Sequence, residues 1–272
     1  MKIIRQKKDL DKIINSNHSL SFVPTMGSLH KGHLSLIKEA KKKRLKILVS
    51  IFVNPRQFSS RSDFNTYPRN IKNDLKLLKK IKIDFLFLPK YNDVFNFKTR
   101  NKIYIHPFAK ILCGKFRTGH FKGVLNVVNR FLELIKPKYL FLGEKDFQQL
   151  ILIQKHILEK KIKTTVVNCR TIRQDKFLPY SSRNFNLKKS EKKLATEAFR
   201  QIKNYKNYLI KKNIKKIDLG FLKKKIFSLG VKKIDYIDVV NLDNLKKTKN
   251  FKGKIRIFSA LYVNRTRLID NV

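Results

Sequence analysis

The sequence has few cysteines, few acidic residues and no tryptophan. Its two cysteines, Cys113 and Cys169, lie far apart without a CxxC pair or a histidine cluster at zinc spacing, so neither a disulfide framework nor a metal site is predicted. No apolar run approaches the ~20 residues that a membrane-spanning helix needs. The charged N-terminus also lacks the apolar core of a signal peptide. These absences favour a cytoplasmic protein without a membrane partner.

Acidic residues number only 19 against 64 lysines and arginines, which gives a formal net charge of +45. Such an excess would ordinarily indicate nucleic-acid binding, because clustered basic side chains neutralise phosphates. Here the basic residues are spread along the chain, and lysine (49) far outnumbers arginine (15). Abundant Ile, Asn and Phe accompany them, as expected of an AT-rich coding sequence. We therefore predict a composition-wide bias and no specific nucleic-acid partner.

The first two thirds of the chain alternate short apolar runs with longer amphipathic ones. This pattern is typical of βα units stacked into a parallel sheet. The predicted strands are residues 20–24, 47–53, 83–88, 139–142 and 163–168, and the predicted helices are residues 32–43, 69–81, 124–135 and 147–160. The prediction is a Rossmann-like, doubly wound parallel α/β sheet within a domain of residues 1–170.

The character of the chain changes after Arg170. Two lysine-rich amphipathic segments are followed by three apolar runs, which predicts a smaller C-terminal α+β domain over residues 171–272. The predicted helices there are residues 190–211 and 215–229, and the predicted strands are residues 236–240, 255–263 and 267–269.

The segment PTMGSLHKGH, residues 24–33, lies where the first predicted strand ends and a helix begins. Ligands of open α/β sheets bind at the carboxyl ends of strands, and a helix N-terminus there favours phosphate. Gly27 and Gly32 would allow a close backbone approach, and His30 and His33 would share one face of the first helical turn. Alternatively, one histidine caps the structure and the other is exposed.

Three further segments carry candidate ligand-binding groups. Gln57 follows a buried strand and can both donate and accept, although spacing alone favours an ordinary loop glutamine. Gly143–Asp146 follows the strand at 139–142, where Lys145 could place a charge on phosphate and Asp146 could accept from ribose hydroxyls or help to hold a metal. Ser181, Ser182 and Arg183 offer two hydroxyls and a guanidinium, although loop serines are usually turn formers.

Taken together, these motifs resemble those of a known family. HxGH is the signature of the nucleotidyltransferases related to class I aminoacyl-tRNA synthetases, and PTMGSLHKGH is similar to the pantothenate synthetases in particular. Further similar segments follow in the same order over nearly the whole chain: residues 51–58 (IFVNPRQF), 67–69 (YPR), 119–124 (GHFKGV), 143–149 (GEKDFQQ), 181–184 (SSRN) and 267–271 (RLIDN).

The resemblance implies an ATP-dependent ligase that activates (R)-pantoate as a pantoyl-adenylate and joins it to β-alanine, with Mg²⁺ carried by ATP and Asp146 as a candidate ligand for it. It implies a homodimer, and a C-terminal domain that closes over the ATP site. His33, His30, Lys145 and Arg183 would be catalytic, with His33 able to donate a proton. Gln57 and Gln149 would hold pantoate, and Gln57 would also serve β-alanine. The implied ATP-binding residues are Met26, Gly27, Ser28, Leu29, His30, Lys31, Gly32, His33, Gly143, Glu144, Lys145, Asp146, Ile172, Tyr180, Ser181, Ser182 and Arg183.

One segment departs from the family pattern. Residues 175–180 read DKFLPY, where relatives usually carry a glycine and smaller residues, and Phe177 and Pro179 would stiffen this loop. Two other functions remain open. A different nucleotidyltransferase acting on a phosphorylated substrate should carry Arg or Lys in place of Gln57 and Gln149. A nucleic-acid-binding protein built on an old enzyme fold would account for the charge.

Overall fold

The computed structural model describes residues 1–17, 19–214, 216–250 and 253–272. The chain divides into two compact units, one formed by Met1–Ala109 with Arg117–Arg170 and the other by Lys110–Phe116 with Thr171–Val272. The strands are β1 (Lys2–Ile4), β2 (Leu20–Thr25), β3 (Lys46–Ile51), β4 (Phe85–Phe87), β5 (Tyr139–Gly143), β6 (Thr165–Cys169), β7 (Arg173–Gln174), β8 (Leu178–Pro179), β9 (Lys233–Asn241), β10 (Lys246–Lys247), β11 (Ile255–Val263) and β12 (Thr266–Asn271). The α-helices are α1 (Lys7–Ser16), α2 (Lys31–Lys41), α3 (Arg61–Asn65), α4 (Ile71–Lys80), α5 (Tyr91–Phe95), α6 (Cys113–Phe116), α7 (His120–Ile135), α8 (Phe147–Glu159), α9 (Lys189–Lys211) and α10 (Leu219–Ser228).

The first unit contains a six-stranded parallel sheet in the order β1-β4-β3-β2-β5-β6. From β2 the chain builds outward through β3 and β4, and then returns to add β5 on the other side of β2. The strand order therefore reverses between β2 and β5. Parallel α/β sheets bind ligands at such a point, outside the carboxyl ends of the two strands. The predicted doubly wound α/β fold is confirmed.

Apolar residues of the central strands and the amphipathic α2 form the core beside this point. Consecutive residues of β2 and β3 are buried, so both faces of these central strands are covered, as is usual in parallel α/β sheets. Ile37 and Ala40 of α2 are fully buried and pack in one cluster with Val23 and Val49 of the sheet. Helical spacing places these two α2 residues on one face, so their burial fixes how the helix meets the sheet.

The second unit is the α+β structure predicted for the C-terminal part. Its antiparallel sheet has the order β10-β9-β11-β12, and α9 and α10 pack on it through a separate apolar core. Phe199 of α9 and Ile226 of α10 lie at the centre of this core. β7 and β8, which have two residues each, form an antiparallel hairpin that precedes this sheet in the chain.

Several elements differ from the sequence-based expectation. The helix predicted to start at position 215 begins at Leu219, because the side chain of Asp218 caps it by accepting from the Gly220 N–H; Lys215 itself lies outside the described residues. The helix predicted from position 69 begins at Ile71, because Asn70 caps it in the same way. β1 and α1 had no sequence-based prediction. Residues 110–116, which were predicted to lie in the domain of residues 1–170, group with the second unit. In the described part of the chain, no helix combines the length and apolarity needed to cross a bilayer.

Candidate functional site

The loop after β2 turns sharply at Gly27. Its φ is +77°, and a Cβ there would lie 2.9 Å from Cγ2 of Ile51, so only glycine fits without displacement. The Gly27 N–H donates to Oγ1 of Thr25 (3.1 Å), whose hydroxyl donates in turn to the Ser50 carbonyl (2.8 Å). The loop is thereby tied to both β2 and β3.

The carboxylate of Asp74, in the first turn of α4, holds the next part of the loop. It accepts from the Ser28 N–H (2.8 Å) and from the Leu29 N–H (2.7 Å), and the residue is only 1% exposed. Burial raises the pKa of Asp74, while the two N–H donors oppose this shift. Ser28 has a φ of +52°, which is a left-handed conformation. The hydrogen bond from its N–H to Asp74 can stabilise this conformation. Sequence reasoning missed Asp74; the available signal was a lone acidic residue in a lysine-rich helix.

His30 and His33 lie at the start of α2, where His30 is the N-cap residue. Their rings stack with centroids 4.0 Å apart and an interplanar angle of 27°. Burial, followed by the positive charges at His33 and Lys145, lowers the pKa of His30 to about 2. Burial also lowers the pKa of His33 to about 4, with Asp146 opposing the shift and Lys145 adding to it. Both imidazoles are therefore neutral at pH 7.

His33 also presents a buried nitrogen. Its Nδ1 atom has no hydrogen-bond partner among the described residues. Buried polar atoms in native proteins are nearly always paired, so this nitrogen calls for a partner beyond the described residues. His33 lies in the first turn of α2, an 11-residue helix whose amino end carries a partial positive charge.

Gly143–Asp146 follows β5, the strand beside β2, so this segment lies at the same sheet edge as the histidines. Lys145 pairs with the carboxylate of Asp146 at 3.2 Å, and its charge acts on both imidazoles. The structure thus brings together a neutral histidine pair, a lysine and a carboxylate in the first unit. Within the described residues, no group of three or more His, Cys, Asp or Glu side chains could hold a metal. Asp146 can supply one carboxylate oxygen, which fits a cation held mainly by the oxygens of a nucleotide.

Gln57 lies in a single 3₁₀ turn, Pro55–Gln57, that follows β3. Its Nε2 donates to Sδ of Met26 at 2.7 Å, and its Oε1 accepts from Nδ2 of Asn54 at 3.3 Å. The side chain is therefore fixed next to the loop after β2, and the residue is only 8% exposed. Asn54 was not singled out in the sequence. Gln149 lies in the first turn of α8, partly exposed and three residues after Asp146.

The remaining candidates belong to the second unit. Ile172 is 37% exposed, and its carbonyl accepts from the Tyr180 N–H at 3.0 Å, which closes the base of the β7–β8 hairpin. Ser181 caps a short 3₁₀ turn by accepting from the Arg183 N–H at 3.3 Å. Ser182 is buried and lies in the same turn.

Phe177 and Pro179, the residues that depart from the family pattern, form part of the hairpin. The Phe177 carbonyl accepts from Nη1 of Arg173 at 2.7 Å, and Pro179 pairs with Arg173 as a buried β8 residue. The departure is thus accommodated as a tight two-strand structure.

Comparison with known proteins gives a consistent result across the chain. A family model described as pantoate-beta-alanine ligase matches residues 2–272. A pantothenate synthetase from Clostridium botulinum (strain Langeland) is 37% identical over 280 residues, covering 100% of this chain and 98% of the relative. One from Francisella philomiragia is 40% identical over 273 residues, covering 99% of this chain and 95% of the relative.

Solved structures agree with the sequence relatives. The pantoate-beta-alanine ligase of Francisella tularensis, crystallised with Beta-gamma ATP and β-alanine, has a TM-score of 0.83 at 37% identity, covering 100% of this chain and 97% of that chain. The pantothenate synthetase of Thermus thermophilus has a TM-score of 0.91 at 29% identity, covering 100% of this chain and 99% of that chain.

Proposed function

Because the chain belongs to the pantoate–β-alanine ligase family, we propose that it catalyses the ATP-dependent ligation of (R)-pantoate and β-alanine to pantothenate, AMP and pyrophosphate. The observation that carries the proposal is the match of one family model to residues 2–272. The sheet edge where β2 and β5 end supports it, because a neutral histidine pair and a lysine lie there beside a helix N-terminus.

The reaction has two steps, and neither needs a protein nucleophile. In the first, a carboxylate oxygen of pantoate attacks the α-phosphorus of ATP, the bond to the bridging oxygen breaks, and pyrophosphate leaves. In the second, the β-alanine amine attacks the carbonyl carbon of the pantoyl-adenylate, loses a proton and expels AMP. Catalysis then consists of positioning the reactants and stabilising the charge that builds on phosphate oxygens.

We assign that stabilisation to His30, His33 and Lys145 of the first unit. A neutral imidazole carries one N–H, so each histidine can donate a hydrogen bond to a phosphate oxygen without the cost of burying a second positive charge beside Lys145. The negative charge of a bound triphosphate also raises an imidazole pKa, which would let His33 give a proton to the departing pyrophosphate. Mg²⁺ would neutralise part of the triphosphate charge, with Asp146 as a candidate ligand.

The remaining roles follow the family motifs. Gln57 and Gln149 would hold pantoate, and their uncharged amides suit a ligand with hydroxyls better than a phosphorylated acceptor. Gln57 would also serve β-alanine. Residues 26–33 and 143–146 would bind ATP, as would Ile172 and the Tyr180–Arg183 segment of the second unit. We further propose a homodimer, which sedimentation of the purified protein would test, and a cytoplasmic location.

A coupled assay tests the function directly. Purified protein with ATP, Mg²⁺, pantoate and β-alanine should form AMP and pantothenate in equal amounts, measured by mass spectrometry. Without β-alanine, pyrophosphate should appear at most once per active site, because the adenylate stays bound. Absence of AMP formation would reject the proposal. Turnover only with a phosphorylated acceptor would point to another nucleotidyltransferase, and sequence-selective RNA binding at high salt without ligation would point to a nucleic-acid-binding protein.

A further inference from the structure

The first turn of α7 makes a close contact with the main chain of Gln57. Nδ1 of His120, the first residue of the helix, lies 2.6 Å from the Gln57 carbonyl oxygen, and His120 is only 9% exposed. The two residues are 63 positions apart in the chain. A short, buried hydrogen bond to the backbone of a ligand-binding residue limits where that residue can place its side chain.

The neighbouring Arg117 determines which nitrogen of His120 carries the proton. Nη1 of Arg117 lies 3.1 Å from Nε2 of His120. A guanidinium can only donate, so Nε2 accepts and the proton of the neutral ring belongs on Nδ1, where it is donated to the Gln57 carbonyl. Asp63 holds the guanidinium in place through an ion pair of 3.5 Å, and Nη2 of Arg117 also donates to the Gln57 carbonyl at 3.4 Å.

A second contact between α7 and the 3₁₀ turn lies one helical turn further along α7, at Gly123. A Cβ on Gly123 would lie 2.1 Å from the Arg56 carbonyl oxygen and 2.8 Å from Cα of Gln57, so the helix and the 3₁₀ turn meet backbone to backbone. Nδ2 of Asn54 donates to the Gly123 carbonyl (3.1 Å) and to Oε1 of Gln57 (3.3 Å). Contacts with the start of α7 therefore fix both the main chain and the side chain of Gln57.

We propose that His120 is a positioning residue for the pantoate subsite, which acts by donating its Nδ1 proton to the Gln57 carbonyl and so holds the Gln57 amide in its binding orientation. The inference rests on the proposed function, because it takes Gln57 as a pantoate ligand. It gives the GHFKGV segment, residues 119–124, a role in substrate affinity.

Two substitutions at His120 separate positioning from simple packing. His120→Leu keeps a side chain of similar bulk but has no donor. In His120→Asn, the amide nitrogen stands about where Nδ1 stands in histidine, so the bond to Gln57 can re-form. We expect His120→Leu to raise the KM for pantoate roughly five- to tenfold, as loss of one buried hydrogen bond would, and to change the KM for ATP less than about twofold. We expect His120→Asn to restore most of the pantoate affinity.

The outcomes distinguish this inference from the proposed function. If the wild-type protein makes no pantothenate, the proposed function itself fails. If the wild type is active but His120→Leu leaves the pantoate KM unchanged, or raises both KM values equally, His120 does not position Gln57. Equal losses in His120→Leu and His120→Asn would also overturn the inference.

A second variant covers the case in which His120→Leu does not fold. Arg117→Met keeps the long side chain but removes both the donor that fixes the His120 tautomer and the Nη2 bond to the Gln57 carbonyl. A selective rise in pantoate KM in that variant supports the inference, and an unchanged pantoate KM overturns it.

Discussion

Arg173 and Asp270 form a bidentate ion pair in the second unit. Nη1 lies 2.6 Å from Oδ2 and Nη2 lies 2.9 Å from Oδ1, and the side chain of Asp270 is only 2% exposed. The same guanidinium donates to the carbonyls of Phe177 (2.7 Å) and Asn271 (3.1 Å). One arginine thus joins the β7–β8 hairpin to the final strand of the sheet, β12.

Asp270→Asn should therefore destabilise the protein and weaken nucleotide binding. Removing one partner leaves a buried guanidinium without its counter-charge, which costs about 3 kcal/mol of unfolding free energy. If Ile172 and Tyr180, at the base of the hairpin, bind ATP as proposed, the KM for ATP should rise more than the KM for pantoate. Urea unfolding and steady-state kinetics measure the two effects.

Asp238→Asn provides the matched control. Asp238 pairs with Lys247 at 2.6 Å in the same sheet, but this pair is more exposed than Arg173–Asp270, with side-chain exposures of 21% and 46%. Its loss should cost at most about 1 kcal/mol and leave the ATP KM unchanged. Equal effects of the two substitutions would show that Asp270 has no special role.

His33→Ala should abolish most of the first half-reaction. If His33 donates to the phosphate oxygens, pantoate-dependent pyrophosphate release should fall on the order of 10²- to 10³-fold. The variant loses the ring contact with His30, so circular dichroism and thermal unfolding should confirm that it is folded at the assay temperature. Lys38→Ala, an exposed change on the same helix, serves as the control and should keep wild-type activity. Near wild-type pyrophosphate release in His33→Ala would remove this histidine from the mechanism.

The sequence was sufficient to predict five of the six strands of the parallel sheet and the edge at which the motifs lie. The continuous apolar run at 47–53 predicted a buried strand, and β3 is buried on both sides. That Gly27 lets the backbone approach a ligand closely stays a prediction, while its positive φ and the 2.9 Å that would separate an added Cβ from Cγ2 of Ile51 show why glycine is needed there. Both predictions depend on local chemistry, namely burial periodicity and backbone freedom, which a single chain reveals.

Contacts between distant segments could not be read in the same way. The Asp74 carboxylate meets the Ser28 N–H 46 positions away, and Arg173 meets Asp270 97 positions away. No local spacing links such pairs, because only the folded sheet brings their elements together. His120 illustrates the same limit: its segment matched the family, but its bond to Gln57 required coordinates.

His156 should make stability depend on pH in the acidic range. The residue is fully buried on α8, where Nδ1 accepts from the Tyr104 N–H (3.1 Å) and Nε2 donates to Oδ1 of Asn129 (3.0 Å). The Nδ1 bond requires the neutral ring, because a protonated Nδ1 cannot accept, and burial lowers the pKa of His156 from 6.5 to about 4. As pH falls from about 6.5 to 4, the unfolded chain binds a proton here that the folded chain does not. The free energy of unfolding therefore decreases by about 1.4 kcal/mol per pH unit from this residue.

His156→Gln should remove that contribution. Urea unfolding between pH 4 and 7 should show a pH slope flatter by about one proton than in the wild type, even though the variant is less stable at pH 7. His106→Gln is the control: its pKa is also lowered by burial, but the residue is only partly buried, so its substitution should change the slope less. Identical slopes in wild type and His156→Gln would mean that the buried ring becomes protonated without opposing folding.

Lys176→Gly should stabilise the β7–β8 hairpin. Asp175 (φ +44°) and Lys176 (φ +63°) are the central residues of the turn closed by the Phe177 N–H, which donates to the Gln174 carbonyl at 3.0 Å, and two successive positive φ values favour Asn-Gly or Asp-Gly at these positions. Removing the Cβ from a residue in the left-handed region should stabilise the folded chain by roughly 1–2 kcal/mol. The greater conformational freedom of glycine stabilises the unfolded chain by roughly 0.5–1 kcal/mol and offsets part of this gain. The net increase in unfolding free energy should be about 0.5–1 kcal/mol, a rise of roughly 2 °C in Tm. Lys176→Ala separates this backbone effect from the loss of a positive charge, since alanine keeps the Cβ. If alanine and glycine raise Tm equally, charge repulsion in this basic chain, rather than the strained turn, limits the stability of the hairpin.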